Sequence, residues 1–314
     1  MKINIVIAFI LWISLSACES LVTEIDDADL PKTESRLTVQ AFLSPENPRI
    51  IVAVTQSRPL FGEPNTTEGI IRNAVVKLSD ETREVTVPFD STNDLYVTDK
   101  ARFPVVAGRT YKITVSQGGR TVTSTCSVPA KAVVPMTFEL DTAYTSFSDT
   151  TLRLKMKWTD IPGERNYYRV RAFVDLEYSI PDGLGGGKYS ERRVRNRFNV
   201  NWEETIGRDN FQSDVNLDGT VFTSPTGTLR LPGPTGFGTS DGSYFTVYPK
   251  AKIISMTMEV LNTDENYFRY HKSLDNARNA DNPFVEPSLV FTNIEGGLGC
   301  FAAYHTGQLI YRPK

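Results

Sequence analysis

One serine lies in a pattern that hydrolases use for a nucleophile: Gly238-Thr239-Ser240-Asp241-Gly242 reads G-x-S-x-G. In such enzymes a strained strand-to-helix turn exposes the serine, and a histidine takes its proton. Here a Gly/Pro-rich stretch precedes it and strand-like Tyr244 to Tyr248 follows. Only His271 and His305 are available as a base. A turn is the better reading, and the sequence predicts no enzyme.

A second constellation offers oxygen ligands. Asp214-Val215-Asn216-Leu217-Asp218-Gly219 has the spacing of the first half of a calcium loop, with glycine where the turn tightens. Position twelve is Pro225, where a bidentate glutamate is needed. A polar hairpin turn therefore outranks calcium, which stays as the minor alternative at Asp214, Asn216 and Asp218. Gly183 to Lys188 fails as a phosphate loop, because Asp182 replaces its first glycine and Tyr189 stands where Ser or Thr would bind magnesium. Two distant histidines and no close cysteine pair leave zinc without ligands. No metal catalysis and no cofactor are expected. Arg192, Arg193, Arg195 and Arg197 alternate in part along a strand-like stretch. Their commonest meaning is a solvated edge that resists aggregation; the sharper alternative is a surface for an acidic partner.

The three cysteines divide by position. Lys2 and the apolar run Ile5 to Leu15 have the form of a signal peptide, shorter than the roughly 20 residues that span a bilayer. Leu15-Ser16-Ala17-Cys18 then reads as a lipobox. Residues 1–17 are expected to be removed, and the Cys18 thiol to carry a diacylglyceryl group that anchors the chain to a membrane. Cys126 and Cys300 remain as an even pair in an exported, oxidising setting, which permits a disulfide. Against this, Val122, Ser124, Cys126 and Val128 alternate onto one strand face, so Cys126 equally suits a small buried hydrophobe.

The elements that must position these groups are strands. Residues 18–34 hold six acidic residues (Glu19, Glu24, Asp26, Asp27, Asp29, Glu34) against Lys32, and read as an extended acidic tether. Seven short alternating runs follow, at Leu37 to Leu43, Ile50 to Thr55, Val75 to Leu78, Glu84 to Val87, Leu95 to Thr98, Tyr111 to Val115 and Thr121 to Val128. Clusters such as Ser44-Pro45-Glu46-Asn47-Pro48 and Gln117-Gly118-Gly119 separate them. This predicts an immunoglobulin-like or fibronectin-like β-sandwich over residues 35–130.

A second β-rich domain is expected over 131–314. Leu152, Leu154, Met156 and Trp158 alternate strictly. Tyr167 to Ile180 and Tyr189 to Val200 form a hairpin around a Gly-rich tip, and residues 223 to 243 read as a long loop. One helix is predicted from Thr263, as N-cap, to Arg278, followed by strands at 289–292, 299–304 and 308–311. The fold class is mainly β with a single helix near the C-terminus. A formal net charge of -3 offers no broad basic surface, which sets nucleic acid aside.

Several stretches together resemble one family. They are Cys18-Glu19 with its acidic continuation, Leu37-Thr38-Val39-Gln40-Ala41, Asn73-Ala74-Val75-Val76-Lys77-Leu78, Asn282-Pro283-Phe284-Val285-Glu286-Pro287, and Asn293-Ile294-Glu295-Gly296-Gly297-Leu298-Gly299-Cys300-Phe301-Ala302-Ala303-Tyr304. The arrangement is similar to the outer-membrane lipoproteins of Bacteroidota grouped as the domain of unknown function 4249 family. Cys300 departs from the apolar residue expected there. The resemblance implies a lipid-anchored outer-membrane location and a non-enzymatic accessory or binding subunit of a TonB-dependent transporter. A stand-alone adhesion or glycan-binding lipoprotein is the alternative.

Overall fold

The computed structural model describes residues 35–57, 69–133, 136–144, 150–185, 188–203, 210–238, 242, 244–278 and 289–313. The tether, Cys18, Ser240 and Asn282 to Pro287 lie outside them.

The first eight strands are β1 (Leu37–Leu43), β2 (Arg49–Gln56), β3 (Val75–Ser79), β4 (Glu84–Val87), β5 (Phe89–Asp90), β6 (Leu95–Asp99), β7 (Thr110–Gln117) and β8 (Arg120–Ser127). They bury alternate residues, as Leu37, Val39, Ala41 and Leu43 do on β1. Then come β9 (Met136–Tyr144), β10 (Thr150–Thr159), β11 (Tyr167–Gly185), β12 (Lys188–Asn199), β13 (Asn201–Trp202), β14 (Phe211–Ser213), β15 (Val221–Thr223), β16 (Gly227–Arg230), β17 (Thr235–Gly238), β18 (Tyr244–Val247) and β19 (Lys252–Thr263). Helix α1 (Glu265–Arg278) and β20 (Leu298–Tyr311) complete the described chain.

A nine-stranded sheet forms the backbone of the molecule, in the order β12-β11-β19-β20-β1-β2-β6-β5, with β14 also on β11. Its central strand, β20, changes partners along its length. Residues 298–303 pair parallel with β1, and residues 304–311 pair antiparallel with β19. Phe301 and Ala303 enter a core closed by the four-stranded sheet β4-β3-β7-β8. Leu309 and Tyr311, of the same parity, pack on a core closed by β13-β16-β10-β15 and β9. Both smaller sheets therefore cover one face of the large sheet. The other parity, Cys300, Ala302 and Tyr304, meets Tyr267 and Tyr270 of α1 on the opposite face. The two expected units thus share a strand, and Ile294 also lies in the first core.

Three expectations are corrected. Residues 223–243 carry β16 and β17 besides the end of β15, so the Gly/Pro density punctuates short strands. No strand forms at 289–292, and the two strands expected after it are one. Gly307, between the two expected strands, lies inside β20, and a Cβ there would sit 2.1 Å from the Val133 carbonyl oxygen, so the strand continues there only with glycine. The helix cap is Asp264 in place of Thr263: the Tyr267 N–H donates to Asp264 Oδ1 at 2.8 Å, while Thr263 ends β19. The Gly-rich tip of the β11–β12 hairpin is paired as far as Gly185 and Lys188.

Candidate functional site

The aspartates that suggested calcium do meet, in altered company. Asp214 and Asp218 come together with Asp160, one carboxylate oxygen of each lying within 4.8 Å of the others. Asn216 lies in the turn between the two, at φ 65°, with Gly219 at φ 71°. Asp160 follows Trp158 at the end of β10, where nothing in the local sequence marks it as a partner of residue 214. Each carboxylate has a donor in the facing loop. Asp160 accepts from the Tyr168 hydroxyl (2.6 Å) and the Gly219 N–H (2.7 Å). Asp214 accepts from the Asn166 N–H (2.9 Å), and Asp218 from the Gly163 N–H (2.9 Å). Burial, then the bond to Asp160, raises the Tyr168 phenol above its ordinary range. These bonds staple residues 160–168 to the 214–220 turn, and the three oxygens have the hardness a calcium ion prefers. The remaining calcium-loop position fails in space as in sequence, since Pro225 is buried.

The arginine row is an ion-pair ladder. Arg192 pairs with Asp182 (2.9 Å), Arg193 and Arg195 with Glu177 (3.0 and 2.8 Å), and Arg197 with Asp175 (3.1 Å). The acids stand on β11, directly across from β12. Charge is thus largely balanced within the hairpin, which fits the solvated-edge reading and removes the free basic patch that an acidic partner would need.

Cys126 and Cys300 are free, buried thiols in this structure, so the disulfide alternative is not formed. Both are driven up in pKa, chiefly by burial and then by the nearby Asp264 carboxylate. Asp264 holds the junction of the three elements around them. Its Oδ1 accepts from Tyr267 of α1, its Oδ2 from the Ala303 N–H of β20 (3.0 Å), and Ser127 at the end of β8 supplies a third backbone bond. Burial outweighs these bonds and pushes the carboxyl up to about 7.

The histidines have structural surroundings. His271 packs among Phe42, Phe211 and Tyr267. His305 bridges the Pro129 carbonyl (3.1 Å) and Glu46 (3.3 Å). On β11, Arg169 stacks over Phe211 and Tyr267, and Arg171 pairs with Glu259 at 2.8 Å over the Tyr304 ring. Nothing in the residue pattern marks these two arginines, because a charged residue within a strand normally reads as solvent-facing.

Two sandwich cores on one face of a continuous sheet, with a helix on the other, define a mainly β protein built around its last strand. The chain belongs to the family described as Domain of unknown function (DUF4249), which it matches over residues 19–310. No curated protein matches it. A solved structure described as the B domain of a biofilm associated protein aligns over 87% of this chain and 85% of that chain. Their identity is 7% and the TM-score 0.15.

Proposed function

We propose that the protein is a non-enzymatic lipoprotein of the outer membrane, anchored through Cys18, that serves as an accessory or binding subunit of a TonB-dependent transporter. The observation that carries this reading is where the family match starts. It opens at residue 19, directly after the cysteine of Leu15-Ser16-Ala17-Cys18, and runs to residue 310. The shared part of the family is thus the part that signal-peptide removal would leave. The β-sandwich body on an acidic leader supports a binding role, since rigid sheets present surfaces without moving parts.

The test is crosslinking and affinity purification of the lipidated protein from native outer membranes, with Cys18→Ala as the unanchored control. Recovery of a TonB-dependent barrel that diminishes in the control is the expected result. Consistent failure to recover a barrel, under conditions that preserve other lipoprotein complexes, overturns it. The alternative, a stand-alone adhesion or glycan-binding protein, then predicts ligand binding by the purified body alone.

A further inference from the structure

Arg169 is the exception among the arginines of the β11–β12 hairpin. Every other one faces a carboxylate: Arg171 has Glu259, Arg192 has Asp182, Arg193 and Arg195 share Glu177, and Arg197 has Asp175. Arg169 is half-buried and makes no ion pair among the described residues. Its Nη1 donates to the Tyr267 hydroxyl, and the guanidinium lies over the rings of Phe211 (4.8 Å) and Tyr267 (5.7 Å). Its Nε is shut away from solvent without a hydrogen-bond partner. Two rings and a neutral hydroxyl replace only part of the hydration that this cation gives up, and a charge buried without its counter-ion is costly. Such a group is suited to receive an anion from outside the chain.

The strands leave room for one. β19 takes one edge of β11, so β12 and β14 share the other, β12 from Phe173 onward and β14 from Tyr167 to Arg169. At the break the Val200 N–H donates to the Ala172 carbonyl (2.9 Å) as the chain turns off towards β13. The Val170 N–H donates to the Asn210 carbonyl (3.0 Å) just before β14. A cavity of about 320 Å³ opens here, and Arg169, Arg171, Phe173, Asn199, Trp202 and Asn210 contribute to its lining. That volume is at the lower end of the roughly 300 to 1,000 Å³ of small-molecule sites.

Charge narrows the ligand. Glu259 takes bonds from Nε and Nη2 of Arg171 (3.0 and 2.8 Å), so one positive charge, that of Arg169, is left over. A carboxylate matches it in charge and accepts two parallel bonds from a guanidinium, whereas a phosphate monoester brings nearly twice the charge. The amides of Asn199 and Asn210 can both donate and accept, as hydroxyl groups require, and the indole of Trp202 offers an apolar plate. We propose that this cavity binds a small hydroxylated carboxylate of the uronic-acid class, with Arg169 taking the carboxylate and Asn199, Asn210 and Trp202 the sugar ring.

The inference rests on the binding role proposed above but fails separately from the transporter. The probe is sodium glucuronate, titrated into the full mature protein in detergent and followed by tryptophan fluorescence. Methyl glucoside and inorganic phosphate are the comparisons at matched ionic strength. Of the two tryptophans beyond Cys18, Trp158 is buried and Trp202 lines the cavity, so Trp202 reports. Glucuronate is expected to give a saturable change, and the glucoside none at the same concentration. Arg169→Gln should weaken glucuronate at least about tenfold through the lost charge-assisted bonds. Because that change also disturbs Tyr267, the exposed Asn199→Ala is the second variant, which should weaken binding about threefold with an unchanged melting curve. The proposal is overturned by equal responses to glucuronate and glucoside, by tighter binding of phosphate, by binding that folded variants retain in full, or by no saturable response. Glucuronate binding with no barrel recovered from membranes keeps the cavity and removes the transporter. A barrel recovered with a protein that ignores glucuronate does the reverse.

Discussion

Asp264 and Ala303 hold each other by two bonds: the Asp264 N–H donates to the Ala303 carbonyl at 2.9 Å, and the Ala303 N–H donates to the Asp264 carboxylate at 3.0 Å. Asp264 thereby acts as the missing neighbour of β20 at the point where that strand leaves β1 and joins β19. A little earlier the Asn293 side chain does the same for Phe301, giving to its carbonyl (2.7 Å) and taking from its N–H (3.0 Å). Asp264 and the Asn293 side chain thus satisfy a buried strand edge that, among the described residues, no third strand reaches.

The carboxyl of Asp264 should make stability pH-dependent. Folded, it titrates near 7, against 3.8 for an ordinary aspartate, because burial penalises its charge. Between those values the folded state holds a proton that the unfolded chain has lost. Stability from this group is therefore greatest in acid and falls as pH rises towards 7, then levels off. Asp264→Asn has no such proton. Urea midpoints from pH 4 to pH 8 should show a difference between wild type and Asp264→Asn that shifts against wild type as pH rises; parallel curves would refute it.

Gly299 should tolerate no side chain. It sits at φ 105°, and a Cβ there would lie 2.1 Å from the Val39 carbonyl oxygen, where β20 and β1 run parallel. Neither backbone can move without opening the first core. Gly299→Ala should cost about 3 kcal/mol or more, or prevent folding, by combining left-handed strain with a backbone clash. Gly118→Ala is the control, since its φ is 56° but nothing lies within 4 Å. It should cost only about 1 kcal/mol. Equal melting temperatures for the two variants would remove the crowding argument.

The contrast between these glycines shows what the sequence could convey. Gly118 announces a hairpin turn because its neighbours alternate cleanly on both sides. Gly299 and Gly307 look the same locally, yet the reason for each lies in a distant carbonyl, on Val39 and Val133. Strands β1 to β4 and β6 to β8 were legible because one face is buried and the other is wet, which writes a period of two, whereas the two residues of β5 are too few to show one. β19 was not, because most of Met256 to Thr263 is buried, between the second core and α1, and the period vanishes. β9 was passed over because its apolar positions end at Leu140 and a polar finish follows. The carboxylate corner was half legible: Asp214 and Asp218 share a turn motif, and Asp160 joins them only through folding.

Removing Asp160 should unfasten that corner. Asp160→Ala leaves the buried Tyr168 hydroxyl and the Gly219 N–H without their acceptor. The cost should be about 2 kcal/mol, the usual penalty for stranded buried donors. Tyr168→Phe removes the donor to Asp160 and the acceptor of the Ile161 N–H (3.2 Å) but keeps the Gly219 bond, and should cost less. A double-mutant cycle should then return a coupling above about 0.5 kcal/mol. Additive losses in chemical denaturation would show that the two groups do not act as a pair.

The buried thiols give the most direct reading of the junction. Cys126 and Cys300 are 3% and 0% exposed, and burial beside Asp264 disfavours the thiolate, which is the reactive form. In a Cys18→Ala background the folded protein should therefore resist a thiol reagent at neutral pH. The same protein unfolded in guanidinium, without reductant, should release two reactive thiols per chain. Zero thiols after unfolding would mean that the pair is oxidised in the exported protein, and that the strand ends carrying Cys126 and Cys300 are tied covalently. Rapid labelling before unfolding would mean that the seam between β8, β20 and α1 opens in solution, and with it the bonds that Asp264 makes to all three.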